Sequence, residues 1–196
     1  MSRPRTFLLE VGCEEIPAGT LPPALEDLRA GLLERLTNDS GLGGECETPA
    51  VFGGPRRLVA IISGIRSGEE DRVELITGPA VSASYGADGR PTRAAIGFAK
   101  AQAVAVEQLE RIETRKGVVV GVRRSVPGRA ASEVLARACP DVLGAMRFPK
   151  MMKWGRQGHR FVRPVRWILA LLDEEIVDFE FLGVRSGRLT YGHRFL

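Results

Sequence analysis

Leu21, Leu25, Leu28, Leu32 and Leu36 recur at steps of three and four, which draws one apolar stripe along a helix predicted from Leu21 to about Leu36. A striped helix has to bury that stripe against another element. Pro22 and Pro23 are tolerable in its first turn, where backbone N–H groups have no helical partner. Thr6 to Gly12 (TFLLEVG) reads as a strand, with Leu8 on one face and Leu9 and Val11 on the other. After the helix, Asn38 to Glu45 is a Gly-rich loop. Strands near Thr48–Phe52 and Arg57–Ile65 flank the turn Gly53-Gly54-Pro55. The first 66 residues thus form a β-α-β-β subdomain with an antiparallel pair.

Ser67 to Arg72 is a charged connector and sets the expected boundary, leaving 67–196 as a second α+β subdomain. Thr77-Gly78-Pro79 and Asp88-Gly89 mark turns around a loosely ordered segment. Pro91–Gln102 is expected to be helical. Leu109–Glu113 and Val118–Arg124 form a hairpin across Arg115-Lys116-Gly117. A helix over Ala130–Ala138 is expected to break at Pro140 or restart there as a short turn. Trp167–Leu172 and Ile176–Leu182 form a last hairpin. In its second strand the apolar Val177, Phe179 and Phe181 alternate with Asp178 and Glu180, whose acidic face is expected to be solvated. This order favours an α+β fold, mainly antiparallel sheets with packed helices, over a doubly wound one.

Composition narrows the class. With 44% apolar residues in 196, the chain can bury a real core. No apolar run reaches the roughly 20 residues that span a bilayer. Glu10 interrupts the apolar stretch after the basic start, so Met1 onward is a poor signal peptide. Cys13, Cys46 and Cys139 are odd in number and far apart, which fits buried thiols in a reducing cytoplasm.

Charge is unevenly distributed. The chain has 28 basic and 24 acidic residues; residues 147–196 hold 10 and 5 of them, leaving 18 and 19 in the first 146. Between Arg147 and Trp167 stand Arg147, Lys150, Lys153, Arg156, Arg160, Arg163 and Arg166, with His159 and no Asp or Glu. Phe148, Trp154, Phe161 and Trp167 are interleaved. Cations contact phosphates and flat rings can stack on unpaired bases, so nucleic acid is the first partner to consider. The competing reading is a solvated rim whose Arg stems cover apolar surface, with the tryptophans in the core.

Other chemistry is scarce. There is no Gly-rich phosphate loop, since Gly41, Gly43 and Gly44 lack the spacing and the following Lys-Ser/Thr. His159 and His193 stand apart and make no zinc set. Glu14 and Glu15, at the end of a strand, can do acid/base work or favour the following helix through its dipole. Lys150-Met151-Met152-Lys153-Trp154 differs from the K-M-S-K-S loop of class I synthetases where it matters, and no H-x-G-H partner lies upstream.

Several segments together are more specific. They are Leu9–Pro17 (LEVGCEEIP), Gly54–Leu58 (GPRRL), Thr77-Gly78-Pro79, Pro91–Ala99 (PTRAAIGFA), Phe148–Gly155 (FPKMMKWG), Arg160–Trp167 (RFVRPVRW) and Gly192–Phe195 (GHRF). In this order the chain closely resembles the N-terminal part of the β subunit of the bacterial two-subunit glycyl-tRNA synthetase, over essentially all its length. Cys13 and Gly54 stand where the family pattern has Thr. The resemblance implies a fragment of a β chain that continues through a metal-dependent-phosphohydrolase-like helical domain to an anticodon-binding domain.

It further implies an α subunit carrying the adenylation site, an α2β2 heterotetramer and tRNA(Gly) as substrate, with no membrane or DNA partner. ATP and Mg would serve the whole enzyme, with no cofactor and no catalytic residue in this fragment. The RNA-binding candidates are the seven cations from Arg147 to Arg166. The later part of the chain is also similar to the editing-type domain of the phenylalanyl-tRNA synthetase β chain, a likeness of fold that does not license hydrolysis. A hydrolytic editing domain and a purely structural subunit-docking module stand as alternatives.

Overall fold

A computed structural model describes residues 3–39, 42, 46–86, 88–115, 117–155 and 158–192, with Asn38 and Asp39 described by backbone only. In chain order the main elements are β1 (Arg5–Cys13), α1 (Leu21–Glu34), β2 (Ala50–Gly54), β3 (Arg57–Ile65), β4 (Arg72–Ala80), α2 (Val81–Ser84), α3 (Arg93–Ala101), β5 (Glu110–Thr114) and β6 (Gly117–Val126). They continue as α4 (Ala131–Ala145), β7 (Met152–Trp154), β8 (His159–Phe161), β9 (Val165–Leu172), β10 (Glu175–Ile176), β11 (Glu180–Phe181) and β12 (Val184–Gly187). The fold is α+β with mostly antiparallel pairing, as the sequence implies.

The chain divides into two compact units, residues 1–70 with 129–196, and residues 71–128. This differs from the single boundary expected after residue 66. The reason is β1. It pairs antiparallel with β3 on one side and with β9, from the last quarter of the chain, on the other. The first 66 residues alone cannot complete that sheet. In the first unit the strand order is β11-β12-β9-β1-β3-β2, with β10 also on β9; β12 and β9 are parallel.

Successive side chains of a strand point to opposite faces, so β1 has two surfaces to cover. On one, Phe7, Leu9, Val11 and Cys13 are fully buried. They join Leu28, Leu32 and Leu36 of the leucine stripe and Leu135, Cys139 and Leu143 of α4 in one core. Leu36 lies in a π-helical turn, Arg35–Asp39, that extends α1. Leu21 and Leu25, nearer the start, are half-buried. The helix expected to stop at Pro140 instead runs through it to Ala145. A proline inside a helix costs about 3 kcal/mol. Val142 and Leu143, buried beyond it, return about 1.5–3 kcal/mol each, so burial wins.

On the other face, Gly12 lies under the Trp167 ring. A Cβ at Gly12 would meet Trp167 Cε2 at 1.9 Å, so only glycine admits that close approach. The last expected strand is interrupted: β10 and β11 flank a gap at residues 177–179. Ser186 serves the gap, its hydroxyl accepting from the Phe179 N–H at 2.9 Å and donating to the Val177 carbonyl at 2.7 Å. The alternation survives, with Val177, Phe179 and Phe181 buried and Asp178 and Glu180 exposed.

In the second unit β6 is central, in the order β4-β6-β5. Thr77-Gly78-Pro79, expected to mark a turn, therefore lies within the edge strand β4, and the segment expected to be loosely ordered after it begins with the short helix α2. The register of β4 shifts between Thr77 and Ala80, and a proline is tolerated at such an irregular edge. The expected hairpin is β5–β6, and the expected helix over Pro91–Gln102 is α3, buried through Ala95 and Ala99. Lys116, in the hairpin turn, lies outside the described residues.

Two consequences are measurable. Gly12→Ala should lower unfolding free energy by about 2–3 kcal/mol, because the new methyl must displace the Trp167 ring; a urea titration followed by tryptophan fluorescence that matches wild type would contradict the packing. The second concerns Asp173. The Thr6 backbone N–H (2.9 Å) and the Arg5 guanidinium (2.8 Å) hold its carboxyl below the usual value of 3.8. A lowered folded value stabilises above the unfolded one and is lost as pH falls through the folded value. The stability gap between wild type and Asp173→Asn should therefore shrink below about pH 4; a gap constant from neutral to strongly acid pH would contradict it.

Candidate nucleic-acid interface

The stretch from Arg147 to Trp167 does not lie as one strip. Its cations occupy three places in the first unit. Arg147 follows α4 and is tied to α1. Its backbone N–H donates to Asp27 Oδ2 at 3.0 Å and its guanidinium approaches Oδ1 at 3.5 Å. The Arg147 side chain is 88% exposed, so this pair contributes little to stability.

The second place is the β7–β8 hairpin. Met152 faces Phe161, Lys153 faces Arg160, and Trp154 faces His159 across the ladder. Phe161 is buried, with its ring 4.9 Å from Phe148 and 5.6 Å from Phe181, both edge-on. That packing anchors one face of the hairpin in the core. Lys153 and Arg160 lie on the opposite face and are exposed, as is Lys150 just before the hairpin. Among the described residues none of the three forms an ion pair. Gly155 and Gly158 both have φ +69°, a left-handed conformation that favours glycine. The Lys153 stem packs over Gly158, where a Cβ would sit 2.6 Å from Cε. Arg156, the remaining candidate, lies outside the described residues.

The third place is the end of the main sheet, where Arg163 just before β9 and Arg166 within it lie on one side of the end of β1, and Arg56 just before β3 and Arg57 within it lie on the other. Glu14 accepts from Arg166 Nε at 2.6 Å and lies 3.9 Å from Arg56 Nη2. Arg163 donates to its neighbour's Val162 carbonyl at 2.7 Å. Backbone bonds knit the corner together: the Cys13 N–H donates to the Arg56 carbonyl and the Glu14 N–H to that of Pro164. Burial, aided by the Glu14 charge, pushes the Cys13 thiol up to about 12, although Arg56 and Arg163 oppose the shift. A thiol so raised is a poor nucleophile.

Beside this corner lies a buried carboxylate. Glu10 Oε1 accepts from Trp167 Nε1 at 2.7 Å, Thr190 Oγ1 at 2.7 Å and Arg57 Nη1 at 3.2 Å. Arg57 also lies over the Trp167 ring, 5.7 Å from its centroid, and donates to the Tyr191 carbonyl. The Tyr191 ring packs against the Trp167 ring at 5.2 Å between centroids. With three donors on one oxygen, Glu10 ties residues 190–191 to the sheet.

The sequence named the cations but not their partners. Glu10 was legible as a charge within an apolar strand, and Arg56 and Arg57 as part of GPRRL. Their meeting with Arg166 and Trp167 required the long-range pairing of β1 with β3 and β9. The interleaved rings are mostly structural: Phe161 and Trp167 are buried, and Phe148 and Trp154 are half-buried against the core. His159 is half-buried beside Trp154, and His193 lies outside the described residues. Among the described residues no three His, Cys, Asp or Glu side chains converge as a metal-binding group.

Comparison with known proteins gives a consistent result. The family described as "Glycyl-tRNA synthetase beta subunit" matches residues 7–196. Proteins named "Glycine--tRNA ligase beta subunit" are 44% identical over 190 residues in Syntrophotalea carbinolica, 41% over 192 in Moorella thermoacetica and 39% over 191 in Limosilactobacillus fermentum. These alignments cover 97%, 98% and 97% of this chain. The chain spans only 27% of the length of each of those relatives. With the family pattern covering nearly every residue, the chain belongs to the glycyl-tRNA synthetase beta subunit family.

Proposed function

We propose that this chain is a tRNA-binding and assembly part of a glycine–tRNA ligase. In this reading it supports tRNA(Gly) binding and α/β assembly for ATP-dependent glycine charging, while adenylation, with its ATP and Mg, takes place on the α subunit. One observation carries the proposal: a family member presents a run of seven cations without a carboxylate, of which Lys150, Lys153 and Arg160 stand exposed and unneutralised. Such cations gain free energy from phosphates by releasing condensed counterions.

The assembly part has separate support. On the sheet face opposite the helices, Leu8 sits between Ile61 and Leu171, and Val59 beside Phe52. Phe52 is 56% and Ile61 36% exposed. An antiparallel sheet normally turns a polar face to water, so this apolar band suits burial against the α subunit. The likeness of fold to the editing-type domain of the phenylalanyl-tRNA synthetase β chain belongs to the same reading, as an architecture only. Its hydrolytic version has little support here. The Cys13 and Cys139 thiols are pushed up by burial, and the Thr190–Glu10 pair engages an oxygen already held by Trp167 and Arg57.

The test uses the assembled α/β enzyme with Lys150, Lys153, Arg160, Arg163 and Arg166 all changed to Gln. Affinity for tRNA(Gly) should fall at least ~30-fold at moderate salt, and the salt dependence should flatten by about 4 in logarithmic slope. Glycyl-adenylate formation should persist. Unchanged tRNA affinity in a filter-binding titration would overturn the proposal.

A further inference from the structure

The three places where the stretch puts its cations are not equivalent, and the geometry points to the β7–β8 hairpin as the element that grips the RNA backbone. Arg166 is already engaged with Glu14 and Arg163 with a main-chain carbonyl, while the exposed Arg147 guanidinium sits beside the Asp27 carboxylate at 3.5 Å. Lys153 and Arg160, by contrast, are directly opposed across an antiparallel pair and share its exposed face. Like charges placed so destabilise a hairpin. Here neither forms an ion pair with a described carboxylate to offset the repulsion, and Lys150 adds a third cation just upstream.

The fold holds this arrangement in place rather than letting it splay. The opposite face of the hairpin is locked by Phe161 between Phe148 and Phe181. At the turn end the Lys153 stem lies along Gly158. A cross-strand pair of cations on a rigid two-stranded support matches a phosphodiester: one compact ammonium and one planar fork can share a single phosphate or bridge two successive ones. Of the rings beside it, Phe161 is buried and Phe148 and Trp154 are half-buried against the core, so among the described residues the exposed Lys153–Arg160 face of the hairpin offers cations rather than rings. The ligand is therefore backbone phosphate, contacted without regard to sequence. Selection among tRNAs must come from elsewhere in the assembly.

This assignment rests on the tRNA-binding reading above, and its test separates the two. In the assembled α/β enzyme, Lys153→Gln with Arg160→Gln is compared with wild type, with the five-cation variant, and with Arg185→Gln. Arg185 serves as the control because it is an exposed arginine paired with Asp178. Binding of tRNA(Gly) and of a non-cognate tRNA is measured across a range of salt.

The hairpin variant should bind both tRNAs about tenfold more weakly, with a slope shallower by about 2, while Arg185→Gln binds as wild type. Without tRNA, the hairpin variant should melt no lower than wild type, because a repulsive pair has been removed. If it binds tRNA normally while the five-cation variant does not, the hairpin assignment falls and the wider reading stands. If both bind normally, both fall. If the hairpin variant loses the α subunit in sedimentation while free assembly partners keep their RNA affinity, the hairpin meets an acidic protein surface and the assignment is overturned.

Discussion

A strand hydrogen-bonded on both sides and buried from Leu9 to Cys13 is held in one register, and β1 is such a strand. Its neighbours β3 and β9 are separated from each other by roughly a hundred residues of chain. One face closes the core on α1 and α4; on the other, Gly12 receives Trp167 and Glu10 collects Trp167, Thr190 and Arg57. Buried carboxylates are costly unless bonded, so those three donors are what make a charged residue tolerable in the central strand. The same pairing brings Arg56, Arg57, Arg163 and Arg166 to one corner. The placement of the basic residues is thus a consequence of strand order.

That strand order also divides the cations by role. Near the sheet end, Arg56 and Arg166 fall within reach of Glu14, just past β1, and Arg57 within reach of Glu10, so these become part of the architecture. Those on the β7–β8 hairpin lie off the main sheet and, among the described residues, form no ion pair. A run of like charges in sequence need not be a patch in space. What decides is which charges the tertiary pairing supplies with counter-charges, and the tie between Arg166 and Glu14 spans 152 positions.

Local patterns were legible because local physics fixes them. The leucine stripe, the alternation of Val177, Phe179 and Phe181, and the hairpin at Arg115–Gly117 follow from helical and pleated periodicities. Three readings failed where tertiary burial outweighs a local signal. Pro140 breaks an isolated helix, but Val142 and Leu143 beyond it are held in the core. Thr77-Gly78-Pro79 carries turn chemistry, yet an irregular sheet edge accommodates it. The domain boundary was sought in composition, whereas the return of the chain at Arg129 is marked by pairing. There Arg129 clasps Glu69, and Gly68 bridges Ala130. For the site, residue types were legible and engagement was not: nothing within 147–167 reveals that Glu14 and Asp27 await some of its arginines and none of its hairpin cations.

The most direct test of an RNA backbone reaching this surface is amide hydrogen exchange on the assembled α/β enzyme, with and without tRNA(Gly). The account predicts that added tRNA slows exchange across β7–β8 and leaves β1 and α4 unchanged, since those are already buried. Slowing of β7–β8 on α-subunit assembly alone, with no further change when tRNA is added, would contradict it.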